Sequence, residues 1–323
     1  MRASVTLLLV SALVAAGVAG AASLDKTRVL PTAVTALDET AQGIATATAW
    51  APGHCESVDL WWPGENQRHG FRAPGPCPRT STGRGIASVA TDLNRVVWLA
   101  YAGGNTREWT LWTATPTAKQ PRRLRFAAAD VDAPAPIVLG NGGEEGIPYA
   151  VGADVVVLGW KGTRVLSWHA PARVVALAES ASSVGVLLET GHLEVVGLLK
   201  KDVTDYAYAP GEVRAFRVAS IGTVVNTTSG IEIRTPTTTV PLSIGPGALL
   251  AGFSDGNVVY SRGAEIRDYK RPSGADTLLR RVKPPFRVEF DRRGLAWTTG
   301  RHVCFSVRLF VASPLVHAPG CSG

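Results

Sequence analysis

The chain has 323 residues and a formal charge of +7, from 33 Lys and Arg against 26 Asp and Glu. Charged residues make up 18% and hydrophobic residues 46%, with 34 Gly and 21 Pro. A disordered chain would be more polar and poorer in branched aliphatics, and Gly and Pro at short intervals exclude a helical bundle or coiled coil.

The N-terminus reads as a signal peptide over residues 1–21: Arg2 is the positive end, residues 5–16 are the apolar run, and Ala19-Gly20-Ala21 supplies small residues before a cut. An uncleaved anchor is the alternative. No other stretch is apolar enough for a membrane helix. The expectation is a mature chain of residues 22–323, forming one domain, secreted or associated with the cell envelope.

Four cysteines follow, Cys55, Cys77, Cys304 and Cys321, with no C-x-x-C spacing. An even number in an exported chain suggests two disulfides rather than a metal site. Their contexts repeat. Ala49-Trp50 and Ala296-Trp297 each open an A-W-x-x-G segment followed by C-x-S-V-x-L, and each is followed by a Pro- and Gly-bearing return with a second Cys. The predicted pairs are therefore Cys55–Cys77 and Cys304–Cys321.

In chain order, residues 27–30 read as a strand that joins the last unit of the fold. Short strands bordering the next turns follow at 33–37, 86–90, 137–139, 174–177, 213–218, 249–253 and 287–290. Each is followed by a second strand ending in a glycine turn: 43–50 to Gly53, 95–101 to Gly103, 155–159 to Gly162, 184–189 to Gly191, 223–228 to Gly230, 257–262 to Gly263 and 294–299 to Gly300. Weaker fourth strands fall at 122–127, 203–208, 238–242 and 277–280. The seven turns are spaced by about 41 residues, and a period of roughly 40–45 residues with four strands marks a β-propeller. The predicted fold is all-β, a propeller of seven four-stranded blades, with six as the alternative. Ring closure by strands from both chain ends places the disulfides at the seam.

The segments Phe253-Ser254-Asp255-Gly256-Asn257-Val258-Val259-Tyr260, Ala90-Thr91-Asp92 through Trp98, and Phe290-Asp291 through Trp297 resemble the turn between inner and second strands of TolB-like and WD-type propellers. That turn is often S-P-D-G; here the Pro is missing throughout. The resemblance runs over nearly the whole mature chain and implies the fold. It carries no activity over, because such propellers serve many functions.

One polar residue falls at each inner turn: Asp38, Asp92, Asn141, Glu179, Ser220, Asp255 and Asp291. Ordinary turn chemistry explains such residues; a polar or cation-binding ring at the channel mouth is the functional reading. The loop of residues 140–146 is glycine-rich and carries Glu144 and Glu145, which reads as a solvated loop or as a cation or acid–base site. Trp50, Trp98 and Trp297 are expected between blades. Trp61 and Trp62 are expected as surface anchors, because neighbouring strand residues point to opposite faces. With Asn105, Arg107 and Trp109 they form the predicted partner-contact surface. Basic residues gather at Arg122-Arg123-Arg125, Lys200-Lys201, Arg280-Arg281 and Arg292-Arg293. Export makes nucleic acid an unsuitable partner and points to an extracytoplasmic protein or an anionic envelope polymer. No G-x-S-x-G, H-E-x-x-H or calcium-loop motif is present, and no cofactor is implied. The expected function is a binding scaffold. The alternative is a carbohydrate-active enzyme using Glu144, Glu145 and Asp92. The sequence leaves the oligomeric state open.

Overall fold

A computed structural model describes residues 25–307, apart from positions 41, 42, 78, 81, 93, 119, 160, 221, 255, 292 and 293, together with Cys321. The predicted signal peptide, Asp255 and Arg292-Arg293 lie outside the described residues. Among the described residues no helix is long and apolar enough to cross a membrane.

The strands form seven four-stranded antiparallel sheets, each a blade. The first blade shows the local logic. Its strands Val34–Thr40, Gly43–Thr48, Ser57–Trp62 and Gln67–Phe71 are consecutive and pair in chain order. Branched and aromatic residues dominate the buried strands, as a pleated surface favours. The inner strands of the other blades are Arg84–Thr91, Ile137–Leu139, Val174–Glu179, Val213–Ala219, Leu249–Ser254 and Val288–Asp291. Each lies against the next, and the last lies against the first, so the ring closes. In five blades the register between inner and second strand shifts early in the inner strand, as at Val34/Ala36 and Val213/Ala215. Such bulges add local twist.

A single blade is apolar on both faces and cannot bury itself. The core is accordingly divided into seven clusters, one between each pair of neighbouring blades. Trp98 fills the contact between the first and second blades, and Trp297 that between the sixth and seventh. Both are at most 1% exposed.

The chain termini meet in the seventh blade. Strand Lys26–Val29 pairs with His302–Val307, with Thr27 opposite Cys304. The seam is tied on both sides. Arg28 donates to Asp59 of the first blade at 2.6 Å, and the Lys26 ammonium donates to the Pro63 carbonyl. On the other side Asp25 accepts from Arg280 of the sixth blade at 3.0 Å. Both predicted disulfides form, Cys55–Cys77 and Cys304–Cys321. The second is buried in the cluster between the last two blades.

The third unit corrects the sequence reading. Residues 155–159 lie in its third strand, Asp154–Gly159; the second strand is Gly146–Val151, which contains Pro148.

Candidate functional site

All seven inner strands end at one mouth of the central channel, and the described residues of the predicted polar ring fall in the last residues of these strands or just after them. A cavity of about 330 Å³ opens there, lined by six blades. Asp38, Asn141, Glu179, Ser220 and Asp291 of that ring line it, joined by Glu39, Glu144, Arg217, Ser254 and Glu289. Asp92 does not line it: it is buried in its own turn, accepting from the Asn94 backbone N–H at 2.9 Å.

Asp38 binds the ring together. Its carboxylate accepts from the Asn141 amide at 2.9 Å, the Thr91 backbone N–H at 2.8 Å and the Gly142 N–H at 3.3 Å. One side chain of the first blade thus ties the second and third. Burial, with Glu289 nearby, still raises its pKa to about 7 against those bonds. Across the channel Arg217 of the fifth blade donates to Glu289 of the seventh at 2.6 Å. Burial raises the Glu289 pKa, and Arg217 opposes the rise.

Glu39 and Glu179 differ from these. Each is 7% exposed, and among the described residues neither Oε2 of Glu39 nor either carboxyl oxygen of Glu179 has a hydrogen-bond partner. Burial pushes the Glu179 pKa up to about 9, with Glu145, Glu144 and Asp92 adding to it. The Glu145 backbone N–H opposes the rise without reaching hydrogen-bond geometry. Burial holds Glu39 well above the carboxylate range, reinforced by Asp291 and Glu289. The mouth is therefore an acid-rich pocket with buried carboxyl oxygens left over.

The glycine-rich loop is wedged into this mouth, with Asn141 bridging in parallel to Ala178 of the next blade. Glu144 and Glu145 are both exposed, and Glu144 lines the cavity. Of the three carboxylates expected of an enzyme, only Glu144 lines the cavity, while all three lie near enough to Glu179 to raise its pKa.

The predicted contact surface also needs correction. Trp61 is 4% exposed and packs in the seam between the first and seventh blades. Trp62 turns the other way, against the cluster shared with the second blade, with its ring edge on His69 at 5.6 Å. The two do point to opposite faces, but in a propeller both faces are covered. Trp109 is buried between the second and third blades and packs on Tyr101. Arg107 lies over the same Tyr101 ring at 5.0 Å, and Asn105 is exposed. Moreover, Trp61 and Trp62 end a strand at the channel-mouth face. Asn105, Arg107 and Trp109 sit at the start of Thr106–Ala114, toward the opposite face.

Glu39, Arg217 and Glu289 were missed by the sequence reading. Their signal is positional: each lies within a few residues of the end of an inner strand. The basic clusters are dispersed over separate blades and partly engaged. Arg280 stacks on Trp297 at 5.6 Å and Arg125 on Tyr149 at 5.6 Å.

No family model and no curated protein matches the chain. Among solved structures, the chain is similar to the computationally designed Ika8 protein, at 15% identity and a TM-score of 0.49, over 87% of this chain and 98% of that one.

Proposed function

We propose that the protein is an extracytoplasmic binding scaffold that holds a partner protein against the face where the inner strands end. The observation that carries this reading is the cavity of about 330 Å³ at the channel mouth, with buried carboxyl oxygens left unpartnered. Unmet acceptors inside a rigid, preformed concavity favour a ligand that enters it. Two disulfides, one of them at the ring seam, fit an oxidising compartment. A protein suits the acidic mouth better than an anionic polymer does, since like charges repel there. With Trp61 and Trp109 buried, the contact surface moves from the aromatic segments of the first two blades to this mouth.

The test uses the full chain, expressed for export so that both disulfides form, and a variant with the exposed rim residues Ser182 and Ser220 both changed to Trp. Each is immobilised and exposed to envelope extract at low and high salt. The expected result is a discrete protein retained by the unmodified chain at both salts and lost by the rim variant. Equal retention by both would sink the reading, as would a polymer released at high salt.

A further inference from the structure

We infer that the channel mouth takes a single organic cation, an ammonium or guanidinium group at the tip of a flexible chain, such as a Lys or Arg side chain of a partner polypeptide. This rests on the scaffold reading and names the chemistry of its site.

The polar atoms left over decide the chemistry. The buried lining atoms without partners are Oε2 of Glu39, both carboxyl oxygens of Glu179 and the Ser254 hydroxyl. Three belong to carboxyl groups, which are acceptors only when ionised, and the fourth, a hydroxyl, accepts as well as donates. The donors nearby are already committed. Arg217 serves Glu289, and the Asn141 amide serves Asp38. A ligand that meets these carboxyl groups in their ionised form must therefore bring N–H groups. A buried acceptor left unmet is costly, and a hydrogen bond to a charged group is among the stronger ones.

Size and spacing favour an organic cation over a metal ion. The cavity of about 330 Å³ is far larger than a bare ion needs. Among the described residues no three His, Cys, Asp or Glu side chains are grouped to hold a metal. A guanidinium or ammonium on a flexible stem reaches separated acceptors one by one. Arg217 already shows that a guanidinium fits here, bound to Glu289.

Charge points the same way. Asp38, Glu39, Glu144, Glu179, Glu289 and Asp291 line the mouth against Arg217, in a chain whose formal charge is +7. As these carboxyl groups ionise the mouth becomes locally the reverse of the molecule, and a concave site of one sign focuses its field on the opposite charge.

Entry of a cation also moves protons. Glu179 faces Glu145, Glu144 and Asp92; Glu39 faces Asp291, Glu289 and Asp38. These neighbours and burial raise the pKa of both side chains, that of Glu179 to about 9. A cation favours the ionised forms, so binding releases protons and tightens as pH rises.

The experiment titrates the exported, oxidised full chain with acetyl-lysine amide, acetyl-arginine amide, neutral acetyl-norleucine amide and calcium chloride. Calorimetry is run in two buffers of different ionisation heat. The cationic probes are expected to bind about tenfold tighter than the norleucine probe, as one charged hydrogen bond implies. They should release protons, tighten from pH 6 to pH 8, and resist displacement by calcium. The double variant Glu39→Gln, Glu179→Gln should lose that preference and the proton release. Should it fail to fold, Ser220→Arg at the exposed rim supplies a guanidinium of its own and should weaken the probes about tenfold. Equal binding of the norleucine probe, displacement by calcium, or unchanged binding in the variants overturns the proposal. If probes fail while the rim variant still loses its protein partner, the cation chemistry is wrong and the scaffold face stands. If probes bind while partner capture ignores the rim, the converse holds.

Discussion

At Gly142 an added Cβ would lie 1.8 Å from the Thr91 carbonyl oxygen, and at Gly140 one would lie 2.6 Å from the Leu177 carbonyl oxygen. The third blade's loop is thus pressed between the inner strands of the second and fourth. At Gly143 the close neighbour is the Glu179 carboxyl, a side chain that swings away more cheaply than backbone moves. Gly142→Ala is therefore expected to cost about 1–3 kcal/mol by overpacking. Gly104→Ala, with nothing within 4 Å, should stay within about 0.5 kcal/mol. Urea denaturation of the two variants checks this, and equal midpoints would refute the wedged loop. The wedged loop was not legible in sequence, where a glycine-rich stretch with two carboxylates reads as a solvated loop or an acid–base site. Glu39, Glu289 and Arg217 were not legible. A charged residue near a strand end looks solvent-facing until the ring places that end on the channel axis. Trp61 misled for a related reason: alternation separates two faces but does not say that a neighbour covers each.

Among the elements, legibility followed the glycine turns. Strands Asn257–Arg262 and Gly294–Thr299 match their sequence reading to the residue. The predicted N-terminal strand at 27–30 differs by one residue from the observed Lys26–Val29. The third unit slipped by a whole strand because its inner strand has three residues and its second strand contains Pro148. Proline is rare inside strands, so the branched run Val155-Val156-Val157 drew the assignment instead. The repeated cysteine contexts located two local staples, yet the two differ in setting. Cys304 and Cys321 are at most 1% exposed, with Trp297 donating to the Cys321 carbonyl at 3.4 Å. Cys77 is exposed, and Cys55 is half-buried beside Arg72. Thiol–disulfide exchange needs access to a sulfur. Mild reductant on the folded protein, followed by alkylation and mass spectrometry, should label Cys55 and Cys77 well before Cys304 and Cys321. Early labelling of the seam pair would mean that the ring opens there readily.

For the whole molecule, the formal charge of +7 pointed toward anionic partners. A sum over the chain says nothing about where opposite charges collect, and here carboxyl groups from several blades collect on the axis. That concentration sets a pH dependence. Asp38, Glu39, Glu179 and Glu289 all have raised pKa values in the folded chain, chiefly through burial. Below about pH 4 both folded and unfolded chains hold these protons, and the contribution of the four groups to stability is complete. As pH rises the unfolded chain ionises first, so stability falls, by up to about 1.4 kcal/mol per pH unit for each group. The loss from Asp38 ends near pH 7 and that from Glu179 near pH 9, where the folded groups ionise too. The melting temperature should therefore decline from pH 5 to pH 9, against the common expectation that paired carboxylates stabilise a fold as they ionise. Glu179→Gln should flatten the upper part of the decline, between pH 7 and pH 9, where Asp38 no longer contributes to the slope. A cationic probe should do the same by favouring the ionised carboxylate. A melting temperature that rises across this range would mean that the mouth is wet and its carboxyl groups ordinary, which would remove the basis for a cation entering it.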